Sequence, residues 1–354
     1  MIVPAAAPQS IAACADAIRA GALVGLPTET VYGLAADADN ATAVAAIFAA
    51  KGRPADHPLI VHVSAHDGGI SGVAHYCADV PPFAQQLIAA FWPGPLTLIL
   101  ARRAAVAAAA AGGQDSIGVR CPSHPAAQAL LAALRHTAPG QQPVWGLAAP
   151  SANRFGRVSP TTAEHVQSEL GAQLLVLDGG ACDVGIESTI IDCTRGSPVL
   201  LRPGAITREQ VEQVCARKLL TNEELQAQSL QAMQAPRASG TLESHYAPQA
   251  RVRLMDAQAL QTALELLRDA ARQSASNGGA VAPSIAVYAR VGIKRVPEQV
   301  LLKRMPLDAA STAQQLFAAL RAFDDAGVKL IWVETPPDTP DWEAVRDRLQ
   351  RAAA

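Results

Sequence analysis

Between residues 22 and 63 an apolar run, Ala22 to Leu26, passes into the turn Pro27-Thr28-Glu29-Thr30. A second apolar run, Leu59 to Val63, comes after a helix-length stretch and the loop Lys51-Gly52-Arg53-Pro54. Asp39 or Asn40 can cap the intervening helix, which carries Val44, Ile47 and Phe48 on one face. A strand, a turn, a helix, a cationic loop and a strand in that order build an α/β layer, and they bring hydroxyls and cations to neighbouring strand ends.

The alternation continues along the chain. Helical spacing marks Ile11 to Ala20, Pro125 to His136, Thr162 to Leu170 and Thr207 to Val214. Short apolar runs mark strands at Leu96 to Leu100, Ser116 to Arg120, Val144 to Ala148, Leu174 to Leu177, Ser188 to Asp192 and Pro198 to Leu201. These elements predict an α/β domain over residues 1–216. Residues 217–250 turn polar and lose any sustained period, as a linker does. Residues 251–354 then read strand, helix, strand, helix, strand, helix: Val252 to Met255, Ala257 to Arg272, Ile285 to Ala289, Ala313 to Ala326, Leu330 to Glu334 and Trp342 to Arg351. That order predicts a small Rossmann-like parallel sheet. It lacks a Gly-x-Gly-x-x-Gly turn, so dinucleotide binding is not indicated.

At 354 residues the chain can support two sizeable cores. With 17% charged residues and a formal net charge of -2, no basic bulk announces nucleic acid, so any anion site must be local. The 4% aromatic content leaves few stacking platforms for RNA. Cys14, Cys77, Cys121, Cys182, Cys193 and Cys215 form no C-x-x-C pair and no cluster with histidine at zinc-ligand spacing. They read as reduced, mostly buried thiols, and no metal site is expected. The N-terminus lacks a basic region before an apolar run, and no apolar stretch is long enough to span a bilayer, so a cytoplasmic protein is expected.

Lys51, Arg53, Arg120 and Arg202 each sit at a strand edge or in a Pro/Gly turn, unlike cations on a solvated face. Arginine offers forked donors suited to carboxylate and phosphate, whereas lysine is a compact point charge. The words that surround them are Gly25-Leu-Pro-Thr-Glu-Thr-Val-Tyr-Gly33, Lys51-Gly-Arg-Pro54, Phe91-Trp-Pro-Gly-Pro-Leu-Thr-Leu98, Ile117-Gly-Val-Arg-Cys-Pro122, Ala149-Pro-Ser-Ala-Asn153, Gly185-Ile-Glu-Ser-Thr-Ile190 and Leu201-Arg-Pro-Gly204. In this order they resemble the YrdC-type threonylcarbamoyl-adenylate synthases in their long, two-domain form.

The resemblance implies a twisted mixed sheet with a concave, cationic active site. It places L-threonine at Thr30, His62, Arg120, the backbone of Ala149, and Ser188. It places ATP at Lys51, Arg53, His57, Ser116, Ser151, Asn153, Ser159 and Arg202, with Lys51, Arg53, Ser151 and Asn153 as the catalytic group. The segment Ser239 to Pro248 resembles a lid that would bring His245 and Tyr246 to the adenylate; an ordinary linker with a tucked tyrosine is the other reading. Taken alone, His62 reads as a half-buried strand histidine satisfied by backbone and Ser151-Ala-Asn153 as an Asx turn; the words around them favour the substrate roles. His57 departs from the lysine or asparagine that relatives often carry there.

The activity implied is amine attack on carbon dioxide or bicarbonate, then attack of the new carboxylate on the α-phosphate of ATP, with release of pyrophosphate. Mg2+ would arrive with ATP. Glu29, Asp56 and Glu187 could touch it through water or serve as caps and turns. The product would pass to a tRNA threonylcarbamoyl transferase, with direct contact to tRNA left open. The alternative is an RNA-binding or regulatory module of the same fold without synthase activity.

Overall fold

The computed structural model describes residues 1–136, 140–228, 235–240, 245–274, 284–293, 296–297 and 299–354. Two compact units emerge: Met1–Phe155 with Ser159–Thr241, and Gly156–Val158 with Leu242–Ala354.

The first unit runs β1 (Ile2–Pro4), α1 (Pro8–Arg19), β2 (Val24–Leu26), β3 (Gly33–Asp37), α2 (Ala41–Lys51), β4 (Ile60–Val63), α3 (Ile70–Tyr76), α4 (Pro82–Phe91), β5 (Leu96–Ala101), β6 (Ser116–Arg120), α5 (Pro125–Arg135), β7 (Gly146–Ala148), α6 (Ala163–Leu170), β8 (Leu175–Asp178), β9 (Thr189–Asp192), β10 (Val199–Arg202), α7 (Arg208–Cys215) and α8 (Asn222–Gln228). Its ten strands form one mixed sheet in the order β1-β8-β2-β3-β7-β4-β6-β5-β9-β10. The sheet is sealed by apolar helix faces. Cys14 and Ile18 of α1 and Leu130 and Leu134 of α5 pack on Leu26 and Leu147. Val44 and Ile47 of α2 and Phe83 and Leu87 of α4 enter a larger core with Val61, Leu98 and Val119.

Local chemistry fixes the helix starts. Asn40, not Asp39, caps α2 by accepting from the amides of Thr42 and Ala43. Thr162 caps α6, and Thr207 with Gln210 closes a capping box on α7. All six cysteines are buried and unpaired. Burial pushes the Cys77, Cys121 and Cys182 thiols up to about 12.

Two local expectations change. The stretch after the Pro-Thr turn forms β3 before the helix, because Gly33–Asp37 pairs antiparallel with β2 and with β7. The stretch 217–250, read as a linker, is divided between the units: α8 lies in the first, where Leu225 and Leu220 pack on Val199. Residues 229–234 and 241–244, the latter inside the lid word, fall outside the described residues.

The second unit contains β11 (Arg251–Met255), α9 (Ala257–Ser274), β12 (Ile285–Ala289), β13 (Val300–Arg304), α10 (Ala309–Asp325), β14 (Leu330–Glu334) and α11 (Glu343–Ala353). The strands are parallel in the order β11-β14-β12-β13. The fourth strand, β13, is absent from the expectation; its Val-Leu-Leu-Lys-Arg run is too short and too charged at one end to announce itself. Leu260 and Leu264 of α9 pack on Val287, Ala289 and Val300. Among the described residues no helix is long and apolar enough to cross a membrane.

Candidate active site

Three neighbouring strands align the first group of side chains. His62 of β4 lies opposite Arg120 of β6, and Arg120 lies opposite Thr97 of β5, so all three share one face of the sheet. Arg120 is buried and heavily engaged. Its Nη1 donates to Thr30 Oγ1 at 2.8 Å, its Nε donates to the Gly94 carbonyl at 3.3 Å, and its Nη2 pairs with Glu29 Oε1 at 2.6 Å. Burial pushes the Glu29 carboxyl up, but the charge and hydrogen bond of Arg120 outweigh it, and the backbone N–H groups of Glu29 and Ser123 add to them. The net result is a carboxyl held below the usual range and ionised at neutral pH.

The turn that carries Glu29 and Thr30 is itself fixed. Thr28 Oγ1 lies 2.9 Å from Thr30 Oγ1 and donates to the Val31 carbonyl at 2.6 Å. The Val184 amide donates to the Glu29 carbonyl, and the Tyr32 amide donates to the Pro160 carbonyl. Ala149 donates its amide to the Ile60 carbonyl, and its β-carbon lies so near Gly33 that a side chain there would crowd it at 3.0 Å. His62 has its pKa lowered to about 3 by burial and by the Arg120 charge, so it is neutral, and its Nδ1 has no hydrogen-bond partner among the described residues.

A second group of cations lies in the same unit. Lys51, at the end of α2, sends its ammonium to the carbonyls of Ser151 and Asn153. Burial, then the Arg53 charge, hold the Lys51 pKa well below the usual lysine range. Arg53 donates from Nη2 to the Pro58 carbonyl at 2.9 Å and to Ser239 Oγ at 3.2 Å. Phe155 is edge-on to His57 at 5.4 Å and beneath the Arg53 guanidinium at 5.8 Å. Burial and then Arg53 lower the His57 pKa. Arg202 donates from Nε and Nη2 to the Ser188 carbonyl at 3.0 and 2.9 Å, from Nη2 to Ser188 Oγ at 3.1 Å, and from Nη1 to the Ser239 carbonyl at 2.9 Å. Next to Arg202, a β-carbon on Gly204 would run into the Thr189 amide, which accounts for glycine in that word.

Ser188 joins the two groups. Its hydroxyl lies 2.7 Å from Thr97 Oγ1, beside Arg120, and accepts from Arg202 on the other side. Ser159 donates to Glu187 Oε1 at 2.5 Å, next to Ser188 in sequence, and Asn153 is buried with its amide donating to the Arg154 carbonyl. Ser151 forms an isolated bridge with Gly33. Ser116 opens β6 two alternations before Arg120, on the same face.

His245 and Tyr246 belong to the second unit. The Tyr246 ring lies 5.5 Å from Phe317 and 5.3 Å from the Arg348 guanidinium, and the His245 amide donates to the Arg351 carbonyl. The lid word therefore splits: Ser239 and Gly240 stay with the first unit, where Ala238 packs on Ile60, Ile99 and Ile190 of the sheet face that carries His62. Arg237 pairs with Asp56 at 2.6 Å, which gives Asp56 a structural partner. Sequence reading missed Thr97 and Thr28, plain threonines that only strand register and turn geometry bring to Arg120 and Thr30. It also missed the Glu29–Arg120 pair, for which the sole signal was a buried-looking acid in a motif word.

The Glu29–Arg120 ion pair, joined through Ser188 to a group of buried cations on an α/β sheet, is a site suited to charged small molecules. Comparison with known proteins makes the class specific. A family model described as "Telomere recombination" matches residues 16–204, and one described as "Threonylcarbamoyl-AMP synthase, C-terminal domain" matches residues 206–354. A threonylcarbamoyl-AMP synthase of Bacillus subtilis is 35% identical over 347 residues, which is 97% of this chain and 92% of that protein. One from Pyrococcus abyssi is 34% identical over 339 residues, covering 95% and 92%. The crystal structure of P. abyssi Sua5 complexed with L-threonine matches with a TM-score of 0.83 at 32% identity, covering 100% of this chain and 97% of that one. The chain belongs to the threonylcarbamoyl-AMP synthase family, as its sequence words imply.

Proposed function

We propose that this chain condenses L-threonine, bicarbonate and ATP into L-threonylcarbamoyl-adenylate, releasing pyrophosphate, in the cytoplasm. The observation that carries the reading is the shared wall at Ser188, hydrogen-bonded by Thr97 beside the Arg120 pocket and by Arg202 of the cation group. Threonine bound at Arg120, Thr30, His62, Ala149 and Ser188 then faces nucleotide phosphates bound at Lys51, Arg53, Ser116, Ser151, Asn153, Ser159 and Arg202. Such alignment turns a reaction of several partners into one of neighbours.

The threonine ammonium combines with bicarbonate to give the N-carboxylate, with loss of water and a proton to solvent. That carboxylate attacks the α-phosphorus, and the bond to the pyrophosphate oxygen breaks. Lys51, Arg53 and Arg202 neutralise the charge that gathers on the phosphates. Mg2+ enters with ATP as part of that substrate. Phosphate oxygens exchange with the Ser239 oxygens on Arg53 and Arg202, so the segment 235–240 shifts as nucleotide binds. His57 contributes a hydrogen bond and no charge, since its pKa is lowered. The mixed anhydride passes to a tRNA threonylcarbamoyl transferase, which modifies the adenosine next to the anticodon of tRNAs reading ANN codons.

Pyrophosphate release from ATP tests this reading: it should require threonine and bicarbonate together. Release with either one alone would contradict it.

A further inference from the structure

Resting on the threonine site just proposed, the geometry points to Glu29 as the residue that selects an amino acid: its carboxylate receives the substrate's ammonium while Arg120 receives the substrate's carboxylate.

A buried arginine alone would favour any small carboxylate. Arg120 is not alone, since the Arg120 and Glu29 side chains, 4% and 6% exposed, lie 2.6 Å apart. The other titratable group opposite Arg120 on the sheet face, His62, is neutral. Arg120 and Glu29 therefore present one positive and one negative group side by side. A ligand buried there is best matched when it carries the inverse pair, which is an α-amino acid zwitterion. An acid without the amine would bring a net negative charge against the Glu29 carboxylate and offer it no cation in exchange for its share of Arg120.

The position of Glu29 supports a ligand role beyond orienting Arg120. Two other anchors already orient the guanidinium, Thr30 Oγ1 and the Gly94 carbonyl. Glu29 Oε1 faces Arg120, and Oε2 is buried and closes no hydrogen bond of its own, although the backbone N–H groups of Glu29 and Ser123 lie near the carboxylate. The backbone of Glu29 is pinned by Val184, so the carboxylate cannot swing away from the pocket by a movement of the turn. A buried carboxylate keeps acceptor capacity beyond one guanidinium contact, and a substrate ammonium is a donor that would use it.

The test is calorimetric titration of the full chain with L-threonine and with 2,3-dihydroxybutanoate, which has a hydroxyl in place of the amine. The wild type should bind threonine and bind the dihydroxy acid far more weakly. Glu29→Gln should weaken threonine by about 10- to 100-fold, the loss of one charge-assisted contact, and bind the dihydroxy acid as well as the wild type or better. Glu29→Asp should keep part of the preference. If Glu29→Gln weakens both ligands equally, the residue only positions Arg120 and the proposal is overturned. A wild type that binds both acids alike overturns it without any variant, leaving the threonine site intact. A wild type that binds neither overturns the threonine site itself and this proposal with it.

Discussion

The Lys51 ammonium is bonded to the Ser151 carbonyl, on a segment 100 residues further along the chain. A residue expected to face phosphate thus also fixes the backbone of the Ser151-Ala152-Asn153 word, through a second bond to the Asn153 carbonyl. Lys51→Ala leaves both carbonyls buried without that donor, at a cost of about 2 to 3 kcal/mol in unfolding free energy. Adenylate formation should be lost while threonine binding, measured by titration, stays nearly unchanged. Ser151→Ala should spare stability and also impair adenylate formation. Loss of threonine binding in either folded variant would show that the two halves of the site are not divided in this way.

Arg120→Ala should raise the threonine requirement far more than the ATP requirement. The removed group is a charge-assisted donor worth about 1.5 to 3 kcal/mol, and its loss also strands the Glu29 carboxylate. Steady-state kinetics with each substrate varied in turn gives the comparison, and equal effects on the two would contradict the assignment.

His62 makes a prediction about acid. Its pKa is lowered from 6.5 to about 3 in the folded chain. Above pH 6.5 neither state binds the proton and the group has no effect. As pH falls from 6.5 toward 3, the unfolded chain takes up a proton that folded His62 refuses, so stability drops by about 1.4 kcal/mol per pH unit from this residue. His62→Gln should remove that part of the slope in urea unfolding measured between pH 6 and pH 4, within the window those two pKa values set. An unchanged slope would mean that His62 protonates normally in the folded protein.

Much of this architecture is legible in the sequence where one local force dominates. Ser116–Arg120 is found to the residue because an apolar run between breakers favours a strand there, and α7 is found from its helical spacing, with Thr207, read as its first residue, serving as its cap. Gly33–Asp37 is not legible: Gly-Leu-Ala-Ala-Asp has little strand propensity and becomes β3 only because β2 and β7 supply partners. Asn222–Gln228 reads as linker because its polar face dominates, while Leu225 packs it on Val199 and Asn222 accepts from Arg195. In the site, the motif words name the cations, but what each one touches depends on distant backbone: Gly94 for Arg120, Pro58 for Arg53, and Ser239 for Arg202.

The extent of the first unit predicts how truncations behave. A chain ending after Gly240 keeps Leu219, Leu220 and Leu225, all buried, and should unfold cooperatively. One ending after Cys215 loses all three from the core and should be less stable by on the order of 5 kcal/mol. Equal thermal stability of the two would show that residues 217–240 do not belong to this core. The longer truncation also keeps Ser239 on Arg53 and Arg202.

The most direct measurement follows carbon. With 13C-bicarbonate, L-threonine and ATP, mass spectrometry of the quenched reaction should find an adenylate that contains threonine and one labelled carbon, formed in step with pyrophosphate. AMP and pyrophosphate appearing with no labelled threonyl adduct, or an adduct lacking the label, would contradict the account.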